Sequence, residues 1–169
     1  MSNVYTRFME LKEDFSLISL ERIENIYPYF CYPTNAKAIG FEGCIMYCFI
    51  EGYGNMVFAS NPETCADTNV YPLASTFEDF LRLILACGSA NPVEQIVWMS
   101  KERFEQHLSD ENAASTPEKQ EILRLLRTEL DLIPMENPYE YVRAVQSDFD
   151  GSKIQYSDEY YDVLGIERN

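Results

Sequence analysis

The sequence predicts an α+β fold: an antiparallel sheet around a central hairpin at about residues 44–59, several helices packed on it, and a helical C-terminal part. Three observations lead there. Cys44-Ile45-Met46-Tyr47-Cys48-Phe49-Ile50 is a short, unbroken apolar run rich in aromatic and β-branched side chains, which fits a central strand covered on both faces. From Thr76 onward apolar residues recur at helical spacing. Strand signals come first along the chain and helix signals later, which separates this class from alternating βα folds.

The elements follow in order. Ser19–Ile26 reads as a short helix stopped before Pro28, because a residue preceding proline is driven out of helical geometry. Tyr27, Tyr29, Phe30 and Tyr32, interrupted by Pro28 and Pro33, read as an extended aromatic packing strip. Sheet signals begin at Ala38. The apolar run at 44–50 continues through Glu51-Gly52-Tyr53-Gly54-Asn55, where two glycines can take positive φ, into Met56–Ala59; this is a hairpin pattern. A polar connection, Asn61–Asn69, leads to Val70–Ala74, a strand whose Pro72 suits an edge or a strand end.

Thr76 then caps a helix with Glu78 and Asp79 in its first turn and Phe77, Phe80, Leu81, Ile84 and Leu85 on its apolar side, ended by Gly88. Asn91-Pro92-Val93-Glu94 repeats the logic, with Asn91 as cap, Pro92 first and Glu94 third. Ser100 caps a continuation through Phe104 and Leu108, and Trp98 reads as core. Residues 109–116 are polar and form the best candidate boundary. Helices are expected from Thr116-Pro117, from Asn137-Pro138 and, capped by Ser157, from Asp158 to Leu164 before Gly165; Phe149–Ser152 is a turn. The organisation is one domain over 1–169, whose part from about 117 reads as a helical C-terminal extension.

Charge narrows the function. Thirteen Lys and Arg against 28 Asp and Glu leave −15 at neutral pH, and the isoelectric point is near 4.3. Nucleic acids and anionic membranes are therefore poor partners, since both need clustered cations; a basic partner would be steered favourably. No apolar run approaches the ~20 residues of a bilayer span. The N-terminus lacks a signal-peptide pattern, and the five cysteines, Cys31, Cys44, Cys48, Cys65 and Cys87, are odd in number. A reducing cytoplasm is the expected location. Cys44 and Cys48, on one strand, would lie roughly 13 Å apart, too far to share a metal. Cys65, in a polar loop, is the one expected at the surface.

Val70–Leu85, with Ala74 ending a strand and Thr76, Phe77, Glu78, Asp79, Phe80 and Leu81 opening a capped helix, resembles the SUKH superfamily, which includes yeast cell-wall-assembly regulators and many bacterial immunity proteins. The likeness covers roughly residues 38–88, the preceding hairpin included. It implies a binding scaffold, often without enzymatic activity, whose bacterial members frequently neutralise a toxin by occluding it.

The chemistry-bearing residues are few. His107, the single histidine, has no companion nucleophile and reads as a surface residue. Glu63/Asp67 and Asp158/Glu159/Asp162 lack the ligand spacing of a calcium loop. Neither a catalytic residue, nor a cofactor, nor a metal is expected. More suggestive is the C-terminal segment, where tyrosines alternate with carboxylates: Tyr139, Glu140, Asp150, Tyr156, Asp158, Glu159, Tyr160, Tyr161 and Asp162. Tyrosine anchors interfaces, and carboxylates around it would recognise a basic surface. Alternatively the rings, Tyr141 among them, turn inward and cover the sheet. The expected function is a non-enzymatic protein-binding module, an immunity protein that occludes a basic, nuclease-like toxin domain. The alternatives are a regulatory scaffold on the same fold and, less favoured, an acidic hydrolase with a carboxylate pair.

Overall fold

The computed structural model describes residues 3–64 and 68–168. Cys65 and Asp67, to which a role was given above, lie outside the described residues. Four strands, β1 (Ala36–Glu42), β2 (Ile45–Ile50), β3 (Val57–Ser60) and β4 (Val70–Ala74), form one antiparallel sheet in the order β1-β2-β3-β4. The fold is α+β, with helix α1 (Asn3–Glu10) before the sheet and α2 (Phe77–Cys87), α3 (Ala90–Gln95), α4 (Lys101–Ala113), α5 (Pro117–Glu129), α6 (Pro138–Ser147) and α7 (Asp158–Leu164) after it.

The unbroken apolar run is explained by cover on both faces. Ile45, Tyr47 and Phe49 turn to a large core shared with α1, α2, α3 and α5, whereas Met46, Cys48 and Ile50 turn to a second cluster with Phe41, Phe58 and Val70. Helices cover the first face. The second is closed by side chains from irregular chain, namely Tyr32, Tyr53, Phe149, Ile154 and Tyr156. β2 is accordingly an inner strand, pairing Tyr47 with Ala59 and Cys48 with Phe58. Pro72 lies on the outer strand β4, where the pairing skips a residue and its carbonyl accepts from Gln146.

Helix boundaries follow the capping chemistry. The Thr76 hydroxyl accepts from Asp79 N–H at 3.0 Å, and Gly88 closes α2 in the left-handed region at φ 86°. Thr116 and Ser157 cap α5 and α7 in the same way.

Several expectations need correction. Ser19–Ile26 is not a helix: Ser19 ends a 3₁₀ turn at Phe15–Ile18 with φ 57°, and Glu21 exchanges two 2.8 Å backbone bonds with Phe41 at the outer edge of β1. Arg22 then reaches the Phe8 and Leu11 carbonyls at the end of α1, with its guanidinium over the Phe8 and Phe15 rings. Tertiary bonding of residues 21–22 thus outweighs a weak local helix propensity. Cys44 is not in the strand but in the two-residue turn after Glu42, because Glu42 pairs with Ile45. α3 starts at Ala90 after Ser89, not at Pro92. Residues 109–113 belong to α4, leaving a short turn before α5. Trp98 is 39% exposed, so it sits at the edge of the core.

Candidate functional site

The nine C-terminal residues with an expected binding role fall into three groups. Tyr139 and Glu140 open α6. The Tyr139 hydroxyl donates to the Met99 carbonyl at 2.8 Å and its ring leans on Phe104; Glu140 pairs with Lys101, which holds its carboxyl below the usual range. Asp150 lies in the turn after α6, where the Ser152 N–H and hydroxyl, each at 2.9 Å, hold its carboxyl down as well. The other six, Tyr156, Asp158, Glu159, Tyr160, Tyr161 and Asp162, are together in and just before α7.

Within that third group the rings are ordered by one another. Tyr156 and Tyr160 stack in parallel at 3.8 Å with 9° between planes, and Tyr161 meets Tyr160 edge-on at 5.4 Å. The Tyr156 hydroxyl donates to Asn69 at 3.3 Å, and burial pushes that phenol up. Asp158 and Asp162 share Arg168 at 2.9 and 3.1 Å, while Glu159 is exposed without an ion pair among the described residues. Inward packing and outward display therefore coexist: Tyr139, Tyr141 and Tyr156 are anchored by hydroxyl bonds, Tyr141 to Asp79 at 2.9 Å, and the α7 turn carries the charge.

Residues 153–157 run beside residues 30–35 as a strap. Asn35 bonds to the Lys153 carbonyl and the Gln155 N–H, Thr34 N–H donates to Gln155 at 2.8 Å, and Ser157 reaches the Phe30 carbonyl. Asn69 ties the two segments by donating to the Cys31 carbonyl while accepting from Tyr156. The N-terminal aromatic strip is thereby brought next to the C-terminal tyrosines. Tyr32 packs inward, its hydroxyl donating to the Cys44 carbonyl. Tyr27 and Tyr29 do not: Tyr27 is 79% exposed, Tyr29 meets it edge-on at 5.7 Å, and Ile23 and Ile26 are exposed in the same segment. Their part in a surface was missed in the sequence, where the strip read as packing. The signal available was two prolines, which exclude regular structure and leave ring after ring without a helix or strand face to turn inward.

A second feature missed in the sequence is a buried polar network. Glu94, read as a capping residue, is wholly buried. Its carboxylate accepts from the Tyr71 hydroxyl, from Asn61 at 3.4 Å, from the Trp98 indole at 3.3 Å and from Gln95. Glu42 accepts from Tyr47 at 3.2 Å and Asn91 at 3.1 Å, and burial raises its carboxyl. Two neighbouring carboxylates are what a hydrolase would use, but a substrate has no access to Glu94. Satisfied donors around a buried acid read as a core lock.

His107 is half-buried in α4, not fully at the surface as expected; its Nε2 is buried without a hydrogen-bond partner among the described residues. Among the described residues, no group of three or more His, Cys, Asp or Glu side chains is placed to hold a metal ion, and no helix is long and apolar enough to cross a membrane. Among the described residues, ion pairs join Arg7, Arg82, Lys101, Lys119, Arg124 and Arg168 to seven carboxylates, in a chain with 28 Asp and Glu. No family model matches the chain, and no curated protein or solved structure matches it.

Proposed function

We propose that this chain is a non-enzymatic protein-binding module that captures a basic protein on the surface where residues 23–32 meet the strap and α7. One observation carries the reading: Ile23, Ile26, Tyr27 and Tyr29 are exposed next to a C-terminal segment bearing Tyr160, Tyr161 and the exposed Glu159. Exposed aromatics adjoining carboxylates supply contact area and charge complementarity together. The resemblance of residues 70–85 to the SUKH superfamily supports a scaffold role, and the occupant it implies is a toxin domain, nuclease-like and basic, neutralised by occlusion. Cytoplasmic location belongs to the same reading, supported by Cys48 and Cys87 being buried free thiols.

Affinity capture with the full chain from a lysate of its source cell, read by mass spectrometry, tests this. Tyr27→Ala and Glu159→Lys each alter the surface without touching the core. Recovery of a basic partner should fall several-fold in both, with circular dichroism unchanged. A partner retained undiminished by both variants overturns the choice of surface, and an acidic partner overturns the charge argument.

A further inference from the structure

At the other end of the strap, a cavity of about 550 Å³ opens between the end of α6, the β2–β3 turn and the turn at 149–153. That volume is within the roughly 300–1,000 Å³ of ligand clefts. Its walls are aromatic and apolar. Tyr53 and Phe149 line it, both packed on Phe58 with ring centroids 5.2–5.5 Å apart, and Met56 and Val145 complete the lining.

Carboxylates outnumber cations at this cavity. The last turn of α6 borders the cavity through Ala144 and Val145, at the negative end of the helix dipole, and carries no basic residue. Asp148, at the C-cap, adds a carboxylate to that negative end, a placement that costs helix stability. Asp148 makes no ion pair among the described residues, and Asp150 lines the same cavity. Lys153 shows what the rim does with a cation: its ammonium donates to the Gly52 carbonyl at 3.0 Å and lies 5.4 Å from the Tyr53 ring centre. One ammonium against two carboxylates and a helix end leaves the cavity short of positive charge.

We propose that this cavity receives an arginine side chain of the basic partner, its methylenes against Tyr53 and Phe149 and its guanidinium toward Asp148 and Asp150. Arginine suits the site because a planar guanidinium both lies on aromatic faces and bonds carboxylates. The inference rests on the protein-binding reading above and adds to it a defined anchor point.

The test titrates the isotope-labelled full chain with Nα-acetyl-arginine methylamide, followed by amide NMR shifts. Shifts should cluster at Tyr53, Val145, Asp148, Asp150 and Lys153, and the neutral isostere Nα-acetyl-citrulline methylamide should produce none. Asp148→Asn should weaken the probe about three-fold, in line with loss of one exposed pair. Asp150→Asn keeps the oxygen that accepts from the Ser152 N–H, so combining it with Asp148→Asn retains that turn bond and should weaken binding further. Lys153→Met, which removes the competing ammonium but keeps the apolar stem, should strengthen binding. Equal response to citrulline, or weaker binding by Lys153→Met, overturns the anchor. Shifts confined to Tyr27, Tyr29 and Tyr160, or no shifts at all, overturn the anchor and leave the protein-binding surface to the capture experiment above.

Discussion

Glu94 shows how far a single residue's role depends on its surroundings. Beside Asn91 and Pro92 it reads as the third residue of a capped helix, yet the Asn91 amide is taken by Glu42, Ser89 precedes the helix, and Glu94 turns fully inward. Four donors converge on its two oxygens from β4, from the segment after β3 and from the α3 region. Removing the carboxylate leaves the buried Tyr71 hydroxyl and Asn61 amide without that acceptor. Glu94→Ala should therefore lower unfolding stability by about 2–4 kcal/mol, read from urea denaturation. An unchanged midpoint would mean that Tyr71 and Trp98 find other acceptors. None of this is visible in the sequence, since a carboxylate among polar neighbours looks the same whether it caps a helix or is enclosed by a sheet. Tyr156 and Tyr160 are a milder case: their abundance is legible, while their 3.8 Å stack depends on the turn into α7.

At the level of elements, local chemistry set the boundaries well where a cap and a stop coincide. Thr76 with Gly88, Thr116 with Pro117, and Ser157 with Gly165 all sit where their side chains and φ angles demand. Thr76→Ala should cost about 1 kcal/mol, whereas Thr76→Ser should remain close to the parent protein; thermal or urea unfolding of both variants checks it. Loss in the serine variant equal to that in alanine would point to the Thr76 methyl and away from the cap bond. Elements without such punctuation were illegible. The segment 19–35 follows its partners: Glu21 joins the edge of β1, Arg22 closes the end of α1, and Asn35 holds the strap. Those bonds are formed with residues up to 120 positions away, beyond any local pattern.

For the molecule as a whole, a charge of −15 on a compact chain is self-repulsive. Acidic residues outnumber basic ones 28 to 13, so screening should relieve the surplus carboxylates. Raising sodium chloride from about 0.02 to about 0.3 M, which shortens the screening length to below about 10 Å, should raise Tm by about 2–4 °C, the shift that about 1 kcal/mol produces in a chain of this size. A Tm that falls with salt would mean that the ion pairs outweigh the repulsion. Association with a basic partner should respond oppositely, slowing as the steering field is screened. The sequence by itself determined the class, the two-sided cover of β2, the capped helices and the sign of the surface, because periodicity, capping groups and net charge are properties of neighbouring residues or of their sum. Only the tertiary structure decided that irregular chain covers one face of the sheet, that the two aromatic segments meet, that Glu94 is enclosed, and that Asp148 and Asp150 flank one cavity. Each of those is a meeting of residues far apart along the chain, fixed by which surfaces the whole molecule buries.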